Sequence, residues 1–201
     1  MKDEIKKLRG KIIDWKVEKK IHEQSLGKVR IELEQKEKEL EIAQKARSVV
    51  QLVAEQTQKK IEYHISNLVS LALASVFDDP YEFILRFVQR RNKTECDLLF
   101  SKNGEECDLF EASGYGAVDI ANFALRAAIW SIHPSRNTQL LDEPFRNLSS
   151  NYHVKASEMV KKVADSIGLQ IIMVTHQKDM ISAADNVIEV EKGIDGISKV
   201  T

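Results

Sequence analysis

Cysteine is nearly absent from this chain: Cys96 and Cys107 are its only two. They form no Cys-x-x-Cys or Cys/His spacing. That argues against a zinc or disulfide framework and fits a reducing compartment. Proline is almost as scarce, with Pro80, Pro134 and Pro144 the only three. No apolar run approaches the roughly 20 residues a membrane span needs. Neither sign of charge dominates, since 30 Lys and Arg face 31 Asp and Glu, for a formal net charge of −1. A global basic excess for nucleic acid is therefore lacking, as is an acidic solvating tail. Charge begins at Lys2, which leaves no room for a signal-peptide core. The phosphate-cradling loop GxxxxGK[ST] occurs nowhere in the sequence. These absences and the length of 201 residues lead us to expect a soluble, cytoplasmic protein of one domain, or of one domain plus an extension.

The extension is residues 1–60. This stretch holds no proline and only Gly10 and Gly27. Every seventh residue from Ile5 reads Ile5, Ile12, Lys19, Leu26, Leu33, Leu40. From Leu8 the same count gives Leu8, Trp15, His22, Val29, Lys36, Ala43, Val50. An apolar repeat of 3.5 residues predicts a left-handed coiled coil. Lys19, His22 and Lys36 interrupt the seam, where polar residues cost stability but fix register or partner. The chain has no second heptad segment, so the partner helix must come from elsewhere. Sixteen Lys and Arg against eleven Asp and Glu give this arm a mild basic excess. Such charge commonly solvates a helix face and can also lie along DNA.

Beyond residue 60 the pattern changes. Ile61, Ile65, Leu68, Leu71 and Leu73 widen the apolar face, and Asp78-Asp79-Pro80 should end the helix near Phe77. YEFILRFVQRR (81–91) alternates as a strand does. TECDLLF and EECDLFE flank Lys102-Asn103-Gly104, a hairpin cue. A helix is expected from Ala117 to Pro134, a short strand at 138–141, and an amphipathic helix at 152–167 closed by Gly168. LQIIMVTH (169–176) reads as a fully buried parallel-type strand, and DNVIEVEK (185–192) as another, its Gly-rich end leading into GISKV.

Three features follow one another in this second region. ASGYGAVD (112–119) is a glycine-rich turn opening a helix, where backbone N–H groups and the helix dipole suit an anion. LLDEP (140–144) puts Asp142 and Glu143 at a strand end. An aspartate there suits Mg²⁺, and the following glutamate can orient or deprotonate water. VTH (174–176) ends a strand in His176, an imidazole able to hydrogen-bond a terminal phosphate. Each alone is commonplace; their order and spacing are not.

In that arrangement the whole chain resembles the SMC-like branch of ABC-type ATPases, most of all the SbcC-type double-strand-break repair ATPases and their bacterial and phage relatives. The resemblance implies an α/β fold: a returning coiled-coil arm at 1–60, then the C-terminal lobe of a P-loop ATPase head at 61–201, with an antiparallel hairpin near 81–110 and a mostly parallel core. It implies ATP and Mg²⁺ as cofactors, with Asp142 as the Walker B metal ligand and Glu143 as general base. Ser113, Gly114 and Gly116 match the signature motif that meets ATP held by the opposite subunit. His176 matches the switch histidine, and Arg126 an arginine thought to couple the signature to the stalk. Walker A lies in an N-terminal lobe in that family, so this chain should hydrolyse ATP only when completed by such a lobe. A second head, an SbcD-type nuclease subunit near the stalk base, and DNA are the further partners implied, in a prokaryotic or phage-infected cell.

Two residues depart from the family pattern. Tyr115 interrupts the usual glycine pair, and Ser149 stands where an aspartate usually follows Leu148. Two other readings share these features. One is a chromosome-organising SMC, RecF- or RecN-like ATPase. The other is a non-enzymatic coiled-coil protein with a degenerate lobe.

Overall fold

The computed structural model describes residues 2–111, 114–192 and 198–200. The chain divides into two compact units, Met1–Gln56 and Thr57–Thr201. The described residues of the first all lie within helix α1 (Lys2–Val76). Its residues are strong helix formers, and side-chain pairs one turn apart reinforce them: Glu34 with Lys38 at 2.7 Å, Lys36 with Glu39 at 2.8 Å, Glu41 with Lys45 at 2.6 Å. Each such pair contributes only about 0.3–0.5 kcal/mol. The heptad residues Ile5, Ile12, Trp15, Leu26, Val29, Leu33 and Leu40 are all exposed.

In the second unit the last turns of α1 bury Ile65, Val69, Ala72, Leu73 and Val76. That is the 3.6-residue spacing of one face. Leu71, expected on it, is exposed, and Val69 and Val76 take its place. The helix ends at Val76, as Asp78-Asp79-Pro80 requires.

Strands β1 (Glu82–Arg90), β2 (Lys93–Lys102) and β3 (Glu105–Asp108) follow as an antiparallel sheet in that order. The β2–β3 turn falls on Asn103 (φ 55°) and Gly104 (φ 85°), as its sequence led us to expect. The β1–β2 turn falls on Arg91 (φ 50°) and Asn92 (φ 58°). Here an arginine occupies the left-handed region with no sequence cue. The outer edge of β1 is closed by α1: the N–H groups of Phe83 and Leu85 donate to the hydroxyls of Ser70 (2.8 Å) and Ser66 (2.9 Å), and that of Phe87 to the Glu62 carboxylate. Eight helical residues rise about 12 Å and four strand residues about 13 Å, so the two spacings match.

Helix α2 (Tyr115–Ile132) starts two residues earlier than its apolar pattern suggested. It leads to β4 (Thr138–Asp142). A short 3₁₀ turn, Ser150–Tyr152, then runs into α3 (His153–Ile167), closed by Gly168 at φ 70°. Strand β5 (Gln170–Val174) pairs with β4 in parallel, Leu141 opposite Met173 and Asp142 opposite Val174. One face of this pair, with Leu141, Ile171 and Met173, joins the core around Phe100, Phe123 and Phe145. Phe145 meets Phe123 edge to face at 5.8 Å.

The core is less parallel than expected, because β4–β5 is the one parallel pair among the described residues. Nor is β5 fully buried. Ile172 is 49% and Val174 61% exposed, beside Leu140 at 74%. A run of apolar residues shows that both faces favour burial, but the described residues cover only one. The strand expected over 185–192 shrinks to β6 (Val190–Lys192), which pairs antiparallel with β7 (Ser198–Val200). The glycine-rich link between them lies outside the described residues.

Candidate functional site

Asp142 ends β4 and Thr175-His176 follow the neighbouring parallel strand β5, so the two strand ends stand side by side. The chain turns sharply after Asp142. Glu143 sits at φ 44°, with its N–H bonded to Val174 O at 2.9 Å. That turn sends its half-buried carboxylate toward β5. Glu143 Oε1 accepts from the His176 backbone N–H at 3.0 Å and lies 2.8 Å from His176 Nδ1. A carboxylate only accepts, so Nδ1 carries the proton. The Thr175 hydroxyl donates to Oε2 at 3.4 Å. The His176 side-chain bond, foremost, holds the Glu143 carboxyl below the usual carboxylate range, against a smaller opposing effect of burial. The His176 side chain is otherwise exposed.

Asp142 is exposed, and its carboxylate has no bonded partner among the described residues. It is free to accept a hard cation, and its oxygen donors suit Mg²⁺. Among the described residues no group of three or more His, Cys, Asp or Glu converges on a metal position. Asp142 is thus a lone open carboxylate among the described residues, and a metal held there would need its other ligands from elsewhere.

The two glycines at the start of α2 have different surroundings. Gly114 precedes α2 with nothing within 4 Å of where a Cβ would sit. With no side-chain cap and no acid in the first turn of α2, the N–H groups at that end suit an anion. Gly116 is different. A Cβ there would meet Leu148 Cδ1 at 3.1 Å, Asn147 O at 3.2 Å and Leu148 Cα at 3.2 Å. Its lack of a side chain lets α2 pack on the loop behind Glu143, so its part is close packing. Tyr115 points to solvent. Arg126 is exposed on α2. Ser113 lies outside the described residues.

Sequence reasoning missed the residues that hold this loop. Asp119 accepts the Asn147 N–H at 2.9 Å and its side-chain amide at 3.4 Å. His153 is buried, and its Nε2 donates to Leu148 O at 2.9 Å. Gln177 donates to Phe145 O at 3.3 Å. The available signals were weak: an acid one turn past the glycines, and a histidine opening an amphipathic helix.

No family model matches the chain. Its fold is that of SMC head domains, an α/β unit with a long helix. It superposes on a structure from work on ATP-driven dimerisation and DNA-stimulated activation of SMC ATPases, with a TM-score of 0.56 and 20% identity, over 73% of this chain and 87% of that one. Against the SMC head domain from Thermotoga maritima the TM-score is 0.51 at 21% identity, over 72% and 51% of the two chains. In sequence it is 28% identical over 137 residues to the DNA double-strand break repair Rad50 ATPase of Saccharolobus solfataricus. That match spans 68% of this chain and 16% of the relative's length.

Proposed function

We propose that this chain is the C-terminal half of an SMC-like ATPase head that drives conformational switching in DNA double-strand-break repair or recombination. One observation carries the reading: Asp142 and Glu143 end one parallel strand beside Thr175-His176 at the end of the next, with Glu143 and His176 in direct contact. The likeness to repair ATPases in sequence and to SMC heads in fold supports it.

Asp142 would hold Mg²⁺, which when bound with ATP neutralises phosphate charge. Glu143 would hold and deprotonate the attacking water. In the contact seen here its carboxylate is occupied by His176 and depressed below the usual range, which makes it a weak base. For His176 Nε2 to donate to a phosphate while Nδ1 keeps Glu143, the ring needs a second proton. A phosphate that draws the His176 ring away would remove the bond that depresses Glu143 most and so raise its basicity, while the His176 backbone N–H and Thr175 keep the carboxylate in place. Gly114 and Ser113 would face ATP held by a second head. A Walker A lobe, a second copy and an SbcD-type nuclease complete the proposed assembly, with DNA as its substrate.

The SMC character of the structural neighbours favours a second reading, a chromosome-organising ATPase without a nuclease. A metallophosphatase-like frame beside the coding sequence would favour repair.

The test is Glu143→Gln in the chain completed by the polypeptide carrying GxxxxGK[ST]. ATP turnover should fall at least about 100-fold, while ATP-dependent dimers persist longer. Unchanged turnover would show that Glu143 is not the base.

A further inference from the structure

We propose that Asp119 and His153 are positioning residues that tie the N-terminus of α2 to the loop behind Glu143, so that the two move as one body. The inference rests on the proposed function, in which α2 faces the ATP of a second head while Glu143 serves the site of its own. The geometry supplies a continuous chain of direct contacts between these two places. At one end, Gly116 lets Asn147 O and Leu148 approach α2 to within the reach of a missing Cβ. One turn further along α2, Asp119 takes the Asn147 N–H and side-chain amide. On the far side of the loop, buried His153 holds Leu148 O, and the Leu148 side chain is itself buried. From there the short turn bonds Leu148 N to Phe145 O (3.1 Å) and Arg146 N to Glu143 O (3.3 Å) lead back to Glu143. Glu143 in turn is pinned to β5 through Val174 O.

Packed, hydrogen-bonded segments of this kind carry coupling when both ends bias one element. The loop at 143–149 is that element. A ligand that shifts the start of α2 has to shift Asn147 and Leu148, because Gly116 leaves no slack and Asp119 holds the backbone. The Asp119 bonds lie at the surface, so their part is orientation of the loop more than support of the core.

The experiment measures ATP hydrolysis against ATP concentration, using the chain completed by its GxxxxGK[ST] polypeptide, for unaltered protein, Asp119→Ala and Asp119→Asn. Two coupled sites should give a Hill coefficient approaching about 2 in the unaltered pair. Asp119→Ala should bring it to about 1 and lower kcat about tenfold, with half-saturation changed less than about twofold. Asp119→Asn keeps one acceptor and should fall between. A merely structural residue would lower the active fraction and leave the Hill coefficient alone. Melting of each variant by circular dichroism shows which are folded. Should Asp119→Ala fail to fold, Asp119→Asn decides: an intermediate Hill coefficient supports the coupling and an unchanged one overturns it. A Hill coefficient of about 1 in the unaltered pair also overturns it. Absence of hydrolysis by the unaltered pair overturns the proposed function, and this inference with it. Normal cooperative hydrolysis unaffected in Asp119→Ala overturns the coupling alone.

Discussion

Glu143 occupies a backbone region, φ 44°, that a side-chain-bearing residue enters at a cost of order 1–3 kcal/mol. The bond from its N–H to Val174 O and three bonds to its carboxylate offset that cost. The conformation turns the carboxylate toward His176, whereas Asp142 before it stays open. Two adjacent acids thus acquire different surroundings from one backbone twist. The depressed ionisation of Glu143 has a definite sign. A carboxyl whose folded pKa lies below its unfolded value of about 4.3 adds stability that is fully present above that value. That stability is lost as pH falls through the lowered folded value. Thermal melts of the chain between pH 7 and 3 should therefore lose stability more steeply below about pH 4.3 for unaltered protein than for Glu143→Gln. Asp97, depressed by its bond to Arg90, and Glu106, depressed by Arg86, titrate in both proteins, so the difference isolates Glu143. Parallel pH profiles would remove the Glu143–His176 bond from the account.

At the scale of elements, what the sequence disclosed was what neighbouring residues decide. Asp78-Asp79-Pro80, Asn103-Gly104 and Gly168 stop or turn the chain through their own backbone preferences, and each acts where its sequence said. The LLDEP and VTH strand ends were legible for the same reason. What stayed hidden depends on distance. Asn147 and Asp119 lie 28 residues apart, and nothing local in either announces the other. Exposure of β5 was hidden too, because apolar composition shows that a strand favours burial and does not say which chain covers it. The closure of β1 by α1 is a third case. Glu62, Ser66 and Ser70 look like ordinary polar residues of a helix, yet each takes one N–H of a sheet edge. Removing such an acceptor leaves a part-buried donor unsatisfied, at about 1–3 kcal/mol. Ser66→Ala and Ser70→Ala should each lower the melting temperature by several degrees, at about 2–4 °C per kcal/mol for a chain of this size. Equal melting of the double variant and the unaltered chain would mean that the clasp adds nothing.

Across the molecule, each of the two units by itself leaves apolar surface uncovered. In the first it is the heptad seam, from Ile5 through Leu40. In the second it is the outer face of the β4–β5 pair, where Leu140 stands opposite Ile172 and Val174 opposite Asp142. Parallel strands are found with both faces covered, because their crossovers lay helices on each side. Here one face packs on the core and the other meets water, so a covering layer has to arrive from outside the described residues. Under the proposed function that layer is the lobe carrying GxxxxGK[ST], and Asp142 at the rim of the same face would be brought against its phosphates. A fully buried aliphatic side chain gains about 1.5–3 kcal/mol, so three half-exposed ones together offer several kcal/mol toward the union. Replacing Leu140 and Ile172 by Lys should leave the melting temperature of the isolated chain within about 2 °C, since surface changes away from the core cost little. The same double variant should weaken binding to the Walker A polypeptide at least about 100-fold, measured by titration calorimetry, because two buried charges would replace two buried side chains. Binding as tight as that of the unaltered chain would place the covering lobe on another face and separate Asp142 from the phosphate it is proposed to serve.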